Sequence, residues 1–220
     1  MNQLVHSKTE LKTPSRTNDP ARTMAEILEA ATQEFAAKGL SGGRIDAIAA
    51  VTRTSKRMIY YYFGSKEGLY VAVLEESYRR MRAIETELHL ENLEPEAALR
   101  RLVEFTFDHH HNNQDYIRLV MNENMERGAY LAQSKTIQDL NVPAIAAIQE
   151  LYQRGVKQGV FRPGLDPIDL HASISALAFF NVSNQHTFGL IFKIDTSLPA
   201  YVAQRRQSVV EMMVRFVRQS

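Results

Sequence analysis

Between Arg44 and Lys66 the chain reads RIDAIAAVTRTSKRMIYYYFGSK, a run in which cations, hydroxyls and phenols recur beside two short helical patterns. Ile45, Ile48 and Ala49 fall on one helical face, as do Ile59 and Phe63, so each short helix has an apolar side to bury. Thr52, Arg53 and Thr54 form the turn between them, and Ser55 is a residue type that caps a helix start. Ser55, Lys56, Arg57, Met58 and Tyr61 then take the outward positions of the second helix. An arginine so placed can bond both acceptors on the major-groove edge of guanine, worth about 1–3 kcal/mol of discrimination. Arg44, at the start of the first helix, and Tyr60, Tyr62 and Lys66 suit phosphate contacts, which set register without reading bases. Arg53 and Thr54 lie in the turn beside them. The chemistry on offer is recognition of a duplex, not bond making. On periodicity alone the same stretch also reads as a short solvated helix in a bundle.

The surrounding elements are helical throughout. Asp19 followed by Pro20 is a helix start, with a capping carboxylate and then a proline at the first position, where no N–H is needed. Met24, Ile27, Leu28, Ala31 and Phe35 share a face of the helix that follows, and Gly39 ends it. A long helix starts near Ser65 with Leu74, Tyr78, Met81 and Leu88 along one stripe. Pro95 opens a helix apolar all round, predicted to be central, and Asn113 to Arg127 forms the next. Thr136 to Lys157 is helical but contains Pro143, which kinks it or marks its true start. Asp166–Pro167 repeats the cap-plus-proline start, and the last helix begins near Ser197 and Pro199. The fold class is all-α, with about nine helices. The division is a flexible tail over 1–18, a helix-turn-helix head over 19–66 and a helical body over 67–220.

Composition narrows the function further. The 220 residues include no Cys, which removes disulfides and thiolate metal sites and fits a reducing cytoplasm. The N-terminus lacks an apolar stretch that could serve as a signal peptide, and no apolar run is long enough to span a membrane. The net charge of +1 divides unevenly: residues 1–66 carry ten Lys or Arg against six Asp or Glu, and the remainder is net negative. The first third is the part suited to a polyanion.

Residues 22–75 resemble the DNA-binding head of TetR-family transcriptional regulators. The stretch ILEAATQEFAAKGL is similar to the family's opening helix and its glycine stop, and IDAIAAVTRTSKRMIYYYFGSKEGLYVAVLE to its helix-turn-helix and the start of its fourth helix. Two positions depart from the pattern. The turn usually carries Ala-Gly-Val where this chain has Thr52, Arg53 and Thr54, so Arg53 falls where glycine's tolerance of positive φ is normally used. Gly43 stands where the family often has a helix-capping Thr, with Ser41 the nearest substitute.

The resemblance implies a homodimer, built through residues 167–188 and 199–218, whose two heads span half-sites about 34–36 Å apart or a multiple. It also implies a cavity for a small organic effector in the middle helices. Candidate lining groups are Phe105, His109, Tyr116, Met121, Asn124, Met125, Tyr152, Phe180, Asn181 and Asn184, a mix that suits a planar ligand with a few polar groups. The expected partners are a double-stranded DNA operator, a second copy of the chain and that effector; the expected mode is repression relieved by the effector, with no cofactor.

Three other readings fare less well. His109, His110 and His111 are consecutive, so on a helix they point about 100° apart and do not converge on one metal ion. Nothing resembles a nucleophile elbow, a phosphate-binding loop or a paired-carboxylate site, so no enzyme is expected. A helical adaptor that binds protein leaves unexplained why Lys56, Arg57 and the tyrosines cluster beside a tight turn.

Overall fold

The computed structural model describes residues 19–219; the tail predicted over 1–18 lies outside the described residues. Among the described residues there are ten α-helices and two short 3-10 turns. Four helices build the N-terminal part: α1 (Pro20–Gly42), α2 (Ile45–Thr52), α3 (Lys56–Phe63) and α4 (Lys66–Thr86). Asp19 caps α1 as its sequence predicts, its carboxylate accepting from the backbone N–H of Ala21 at 3.0 Å and of Arg22 at 3.3 Å. Gly39 leaves the helical path at φ 66°, after which one more turn carries the chain to Gly42. Ile27, Phe35, Ile48, Ile59, Leu69 and Tyr70 are fully buried together, and the Phe35 and Tyr70 rings meet edge-on at 5.3 Å. Each such aliphatic side chain contributes roughly 1.5–3 kcal/mol by leaving water. That cluster fixes the angle between α2 and α3.

Six helices form the body: α5 (Pro95–Asn112), α6 (Gln114–Met125), α7 (Lys135–Lys157), α8 (Pro167–Ser183), α9 (Gln185–Phe192) and α10 (Pro199–Val217). The central helix expected from its all-round apolar pattern is α5, which buries Leu99, Leu102, Val103 and Phe107 against α7, α8 and α10. A glycine lets α7 turn into α8: a Cβ on Gly155 would lie 2.0 Å from the Phe161 ring, which stacks beside Tyr152.

One detail differs from the sequence expectation, and one alternative it left open is decided. The stretch 167–188 is not one helix but divides at Asn184, which makes ten helices rather than about nine. Here Asn181 turns its amide back to the carbonyl of Leu177 at 2.5 Å, and Asn184 takes φ −108° and ψ 3°. Such short polar side chains compete with the helical ladder and favour its ends. In addition, α7 begins well before Pro143, at a Ser134 cap whose hydroxyl accepts from Ile137 N–H at 3.1 Å, and Pro143 sits exposed inside it.

The two cores are not separate. Leu119 of α6 and Ile137 of α7 are buried in the N-terminal cluster, with Tyr130 and Leu131 packed against it. Tyr130 meets Tyr70 edge-on at 5.4 Å. The buried Glu123 carboxylate holds that segment in place, accepting from Tyr130 N–H at 2.8 Å and Leu131 N–H at 2.7 Å.

Candidate nucleic-acid interface and internal cavity

Helix α3 buries one residue, Ile59, and presents nearly everything else. Its Ser55 cap accepts from the Met58 N–H at 3.2 Å, which leaves Lys56, Arg57, Met58, Tyr60 and Tyr61 exposed along the helix. Tyr61 is 77% exposed and, with Met58 and Tyr60, makes a contiguous exposed apolar patch of the kind that marks an interaction surface. Tyr62 differs from its neighbours: it is half-buried, with its ring edge-on to Tyr61 at 5.4 Å and to Phe63 at 6.3 Å. Lys56 is paired with Asp46 at the start of α2. Lys66 is half-buried, and its ammonium donates to the Ser41 carbonyl at 3.3 Å, tying α4 to the end of α1.

Both departures in the turn have a physical account. Arg53 adopts φ 52° and ψ 33°, the left-handed conformation its position demands, with its side chain exposed. Thr54 is half-buried, its hydroxyl donating to the Thr52 carbonyl at 3.3 Å. Gly43 is required by space, since its φ is an ordinary −66° while a Cβ there would lie 2.6 Å from Phe35 Cδ1. Ser41 does not cap α2. Arg44 is the cap residue, without a side-chain bond, and its backbone N–H donates to Glu34 Oε1 at 3.0 Å. The Lys38 ammonium, 2.8 Å from Glu34, holds that carboxyl below its usual range; burial opposes it, and the Arg44 N–H adds to the lowering.

Behind this head lies a cavity of about 390 Å³, half open to solvent and bounded by α4, α5, α6, α7 and α8. Its polar wall comprises Tyr78, Arg82, His110, Tyr116, Asn141 and His171, and Phe179 closes one side. Arg82 is 9% exposed and donates through Nε and Nη2 to Asn141 Oδ1, at 3.0 Å and 2.7 Å, and through Nη1 to Glu85. Burial, then the charges of His109, His171 and Arg82, push His110 down to about 4. His171 is lowered by burial and then by Arg82, outweighing Glu85, while burial raises Tyr78 and Tyr116. The site therefore holds neutral imidazoles and phenols around a single guanidinium. Arg82 also borders a second cavity of about 390 Å³ between α4 and α7. A polar cleft of about 500 Å³ lies between α1, α4 and the α5–α6 corner.

Of the effector residues predicted from sequence, Tyr116 lines both the aromatic cavity and the polar cleft, and His109 lines the cleft. Phe105 is half-buried with its ring 5.7 Å from His109. Met121, Asn124 and Met125 lie on the exposed side of α6, with the Asn124 amide donating to the Val120 carbonyl. Tyr152 is built into the core: its hydroxyl donates to the Arg162 carbonyl at 2.9 Å and accepts from Leu165 N–H at 2.9 Å. Phe180 packs edge-on against Phe188, Asn181 accepts from Arg205 at 2.9 Å, and Asn184 is the cap between α8 and α9. Arg82, Tyr78, His110, His171 and Phe179 went unforeseen. Their signal was polar and aromatic residues interrupting otherwise buried stripes, such as Arg82 beside Met81.

With this geometry in view, comparison with known proteins is decisive. The profile for bacterial regulatory proteins of the tetR family matches residues 27–73, and that of the tetracyclin repressor-like C-terminal domain matches residues 95–213. The chain belongs to the TetR family. A relative, the HTH-type transcriptional repressor NicS of Pseudomonas putida, is 34% identical over 184 residues, covering 84% of this chain and 87% of its own. The HTH-type transcriptional repressor SCO4008 of Streptomyces coelicolor is 36% identical over 139 residues, covering 63% of this chain and 69% of its own. Among solved structures, the transcriptional regulator SCO4942 of Streptomyces coelicolor superposes with a TM-score of 0.67 at 28% identity, over 89% of this chain and 98% of its own. A tetR-family protein from Rhodococcus RHA1 reaches a TM-score of 0.71 at 22% identity, a likeness of fold, over 90% of this chain and 98% of its own. This TetR-family chain is thus a sequence-specific DNA-binding transcriptional regulator and not an enzyme. No described helix is long and apolar enough to cross a membrane.

Proposed function

We propose that this regulator is a cytoplasmic homodimeric repressor that binds a palindromic operator and is released when a small organic effector fills the aromatic cavity. The head over 19–66 reads DNA through Ser55, Lys56, Arg57, Met58 and Tyr61, with phosphate contacts from Arg44, Arg53, Thr54, Tyr60, Tyr62 and Lys66. Residues 67–220 carry the effector site and the dimer contact.

The observation that carries this reading is a shared wall. Leu131 and Ile137 line the cavity and also pack in the core of the head, and Tyr78 does the same from α4. A ligand that moves these side chains therefore moves the surface on which the head rests. Any shift of head spacing away from that of the half-sites weakens DNA binding by linkage. The dimer is supported by exposed apolar side chains on the expected helices: Ala172, Ala176 and Phe180 along α8, and Met212 and Phe216 on α10. Repression is supported by the relatives NicS and SCO4008, both named repressors.

The test is nuclease footprinting on the region upstream of the chain's own coding sequence, across a salt series, with light scattering on the same preparation. Two protected half-sites related by a dyad, from a dimer, are expected. A monomer with no preference over random DNA overturns the reading.

A further inference from the structure

We infer that the effector is a planar aromatic carboxylate of one or two rings, its acid group held by Arg82 and its ring seated against His110, Tyr116 and Phe179. This rests on the ligand-released reading above and specifies the class of ligand.

Charge comes first. Among the residues bounding the cavity, Arg82 alone carries a formal charge, and no Asp or Glu lines it. Its partner Glu85 borders the neighbouring cavity instead. A guanidinium has five N–H donors, of which Asn141 and Glu85 occupy three, so two remain for a ligand. Paired N–H groups match a carboxylate better than any neutral acceptor, because both partners are charged and planar. A cationic ligand would have no counter-charge in this cavity.

Hydrogen-bonding capacity points the same way. His110 is 3% exposed and its Nδ1 has no hydrogen-bond partner. An unpartnered buried nitrogen is uncommon and unfavourable, and a ring bordering a cavity is one whose missing partner a ligand can supply. Burial holds His109, His110 and His171 below their usual range, with the charge of Arg82 a lesser cause, so the imidazoles beside the guanidinium stay neutral.

Shape sets the remainder. His110 lies nearly parallel to Tyr116, with centroids 6.1 Å apart and planes 29° apart, while Phe179 stands at 89° to His110. Flat faces and a perpendicular edge suit an aromatic ring, which prefers offset-stacked and edge contacts. About 390 Å³ is room enough for one or two rings with their substituents.

The experiment is calorimetric titration of the full-length protein with benzoate and 2-naphthoate and with the corresponding neutral amides. At least one acid is expected to bind at least about tenfold more tightly than its amide, and Arg82→Gln to erase that preference. In case Arg82→Gln does not fold, the wild-type protein gives a second readout. Side-chain NMR of the wild-type arginines is expected to show the Arg82 N–H resonances shifted by the acid and not by the amide. Acids no tighter than amides, no binding by either acid, or acid binding that leaves the Arg82 N–H resonances unmoved each overturn the assignment. Because no DNA enters this measurement, failure of operator binding sinks the repressor reading alone, and a preference for amides sinks the ligand class alone.

Discussion

Arg82 and Asn141 clamp α4 to α7: one amide oxygen on α7 accepts two N–H groups from α4, at 3.0 Å and 2.7 Å, beside a second tie in which the Ser134 hydroxyl at the start of α7 donates to Glu75 at 2.6 Å. The Asn141 amide nitrogen is in turn anchored to the Ile137 carbonyl at 2.6 Å, so the receiving group is held rigidly. Since α4 begins in the head and ends in the body, this clamp stands at the junction through which a bound ligand must act. Removing it leaves a buried guanidinium with Glu85 as its remaining partner. Asn141→Ala is expected to cost about 1–3 kcal/mol in denaturant unfolding. A variant as stable as the parent would mean water in the cavity fully replaces the amide.

Arg57 and Lys66 divide the work of binding DNA. Arg57 is exposed on α3, whereas Lys66 already donates to Ser41 and lies at the base of α4. Arg57→Ala is expected to lower the ratio of operator to random-DNA affinity, by an amount equivalent to about 1–3 kcal/mol. Lys66→Ala should weaken all DNA about equally. Gel shifts on both DNAs measure this, and equal sequence-independent losses from the two changes would refute the division of roles.

Lys56 meets Asp46 before it meets any phosphate. Both side chains are about half exposed, so the pair is worth less than about 1 kcal/mol and DNA can displace it. Asp46→Asn is expected to raise affinity for every DNA about two- to fivefold at low salt. An unchanged affinity would remove Lys56 from the residues that meet DNA.

Gly43 is a matter of room. A methyl group there would stand 2.6 Å and 2.8 Å from two carbons of the fully buried Phe35 ring. Gly43→Ala and Gly43→Thr are both expected to destabilise the head by about 1–3 kcal/mol, even though threonine is common at this place in the family. Thermal unfolding checks this; a gain in stability from threonine would show that its capping bond outweighs the clash.

Acid exposes the buried imidazoles. His109 and His110 are held at about 4 in the folded chain, chiefly by burial, against 6.5 for a solvated imidazole. Between these values the unfolded chain binds protons that the folded chain refuses. Stability is therefore complete above about pH 6.5 and declines as pH falls toward 4, by about 1–2 kcal/mol per imidazole between pH 7 and pH 5. Denaturant unfolding at pH 7, 6 and 5 measures the slope, and His110→Leu is expected to flatten it. A profile level down to pH 5 would contradict burial of both rings.

The helices and their starts were legible because they depend on neighbouring residues. Asp19–Pro20, Ser55, Ser65, Pro95 and Asp166–Pro167 all stand at helix starts, and Arg53 takes the left-handed φ its place in the turn implied. The split at Asn184 escaped notice because apolar residues continue on both sides of it, with Val182 before and Phe188 after. The cavity was legible only at Tyr116. Its wall is gathered from five helices, and which polar side chain faces inward depends on how those helices cross rather than on local spacing. Tyr152 shows the converse: an aromatic hydroxyl suited to a ligand is consumed by the Arg162–Leu165 turn.

Leu131 and Ile137 serve the hollow and the head at once, and this limits how such a sensor can be retuned. Trimming either to admit a bulkier inducer also loosens the platform beneath the DNA-reading helices, so altered selectivity would arrive with leaky control. Ser175 and Phe179, on the far wall and outside that platform, are the positions where taste can change while the switch stays intact.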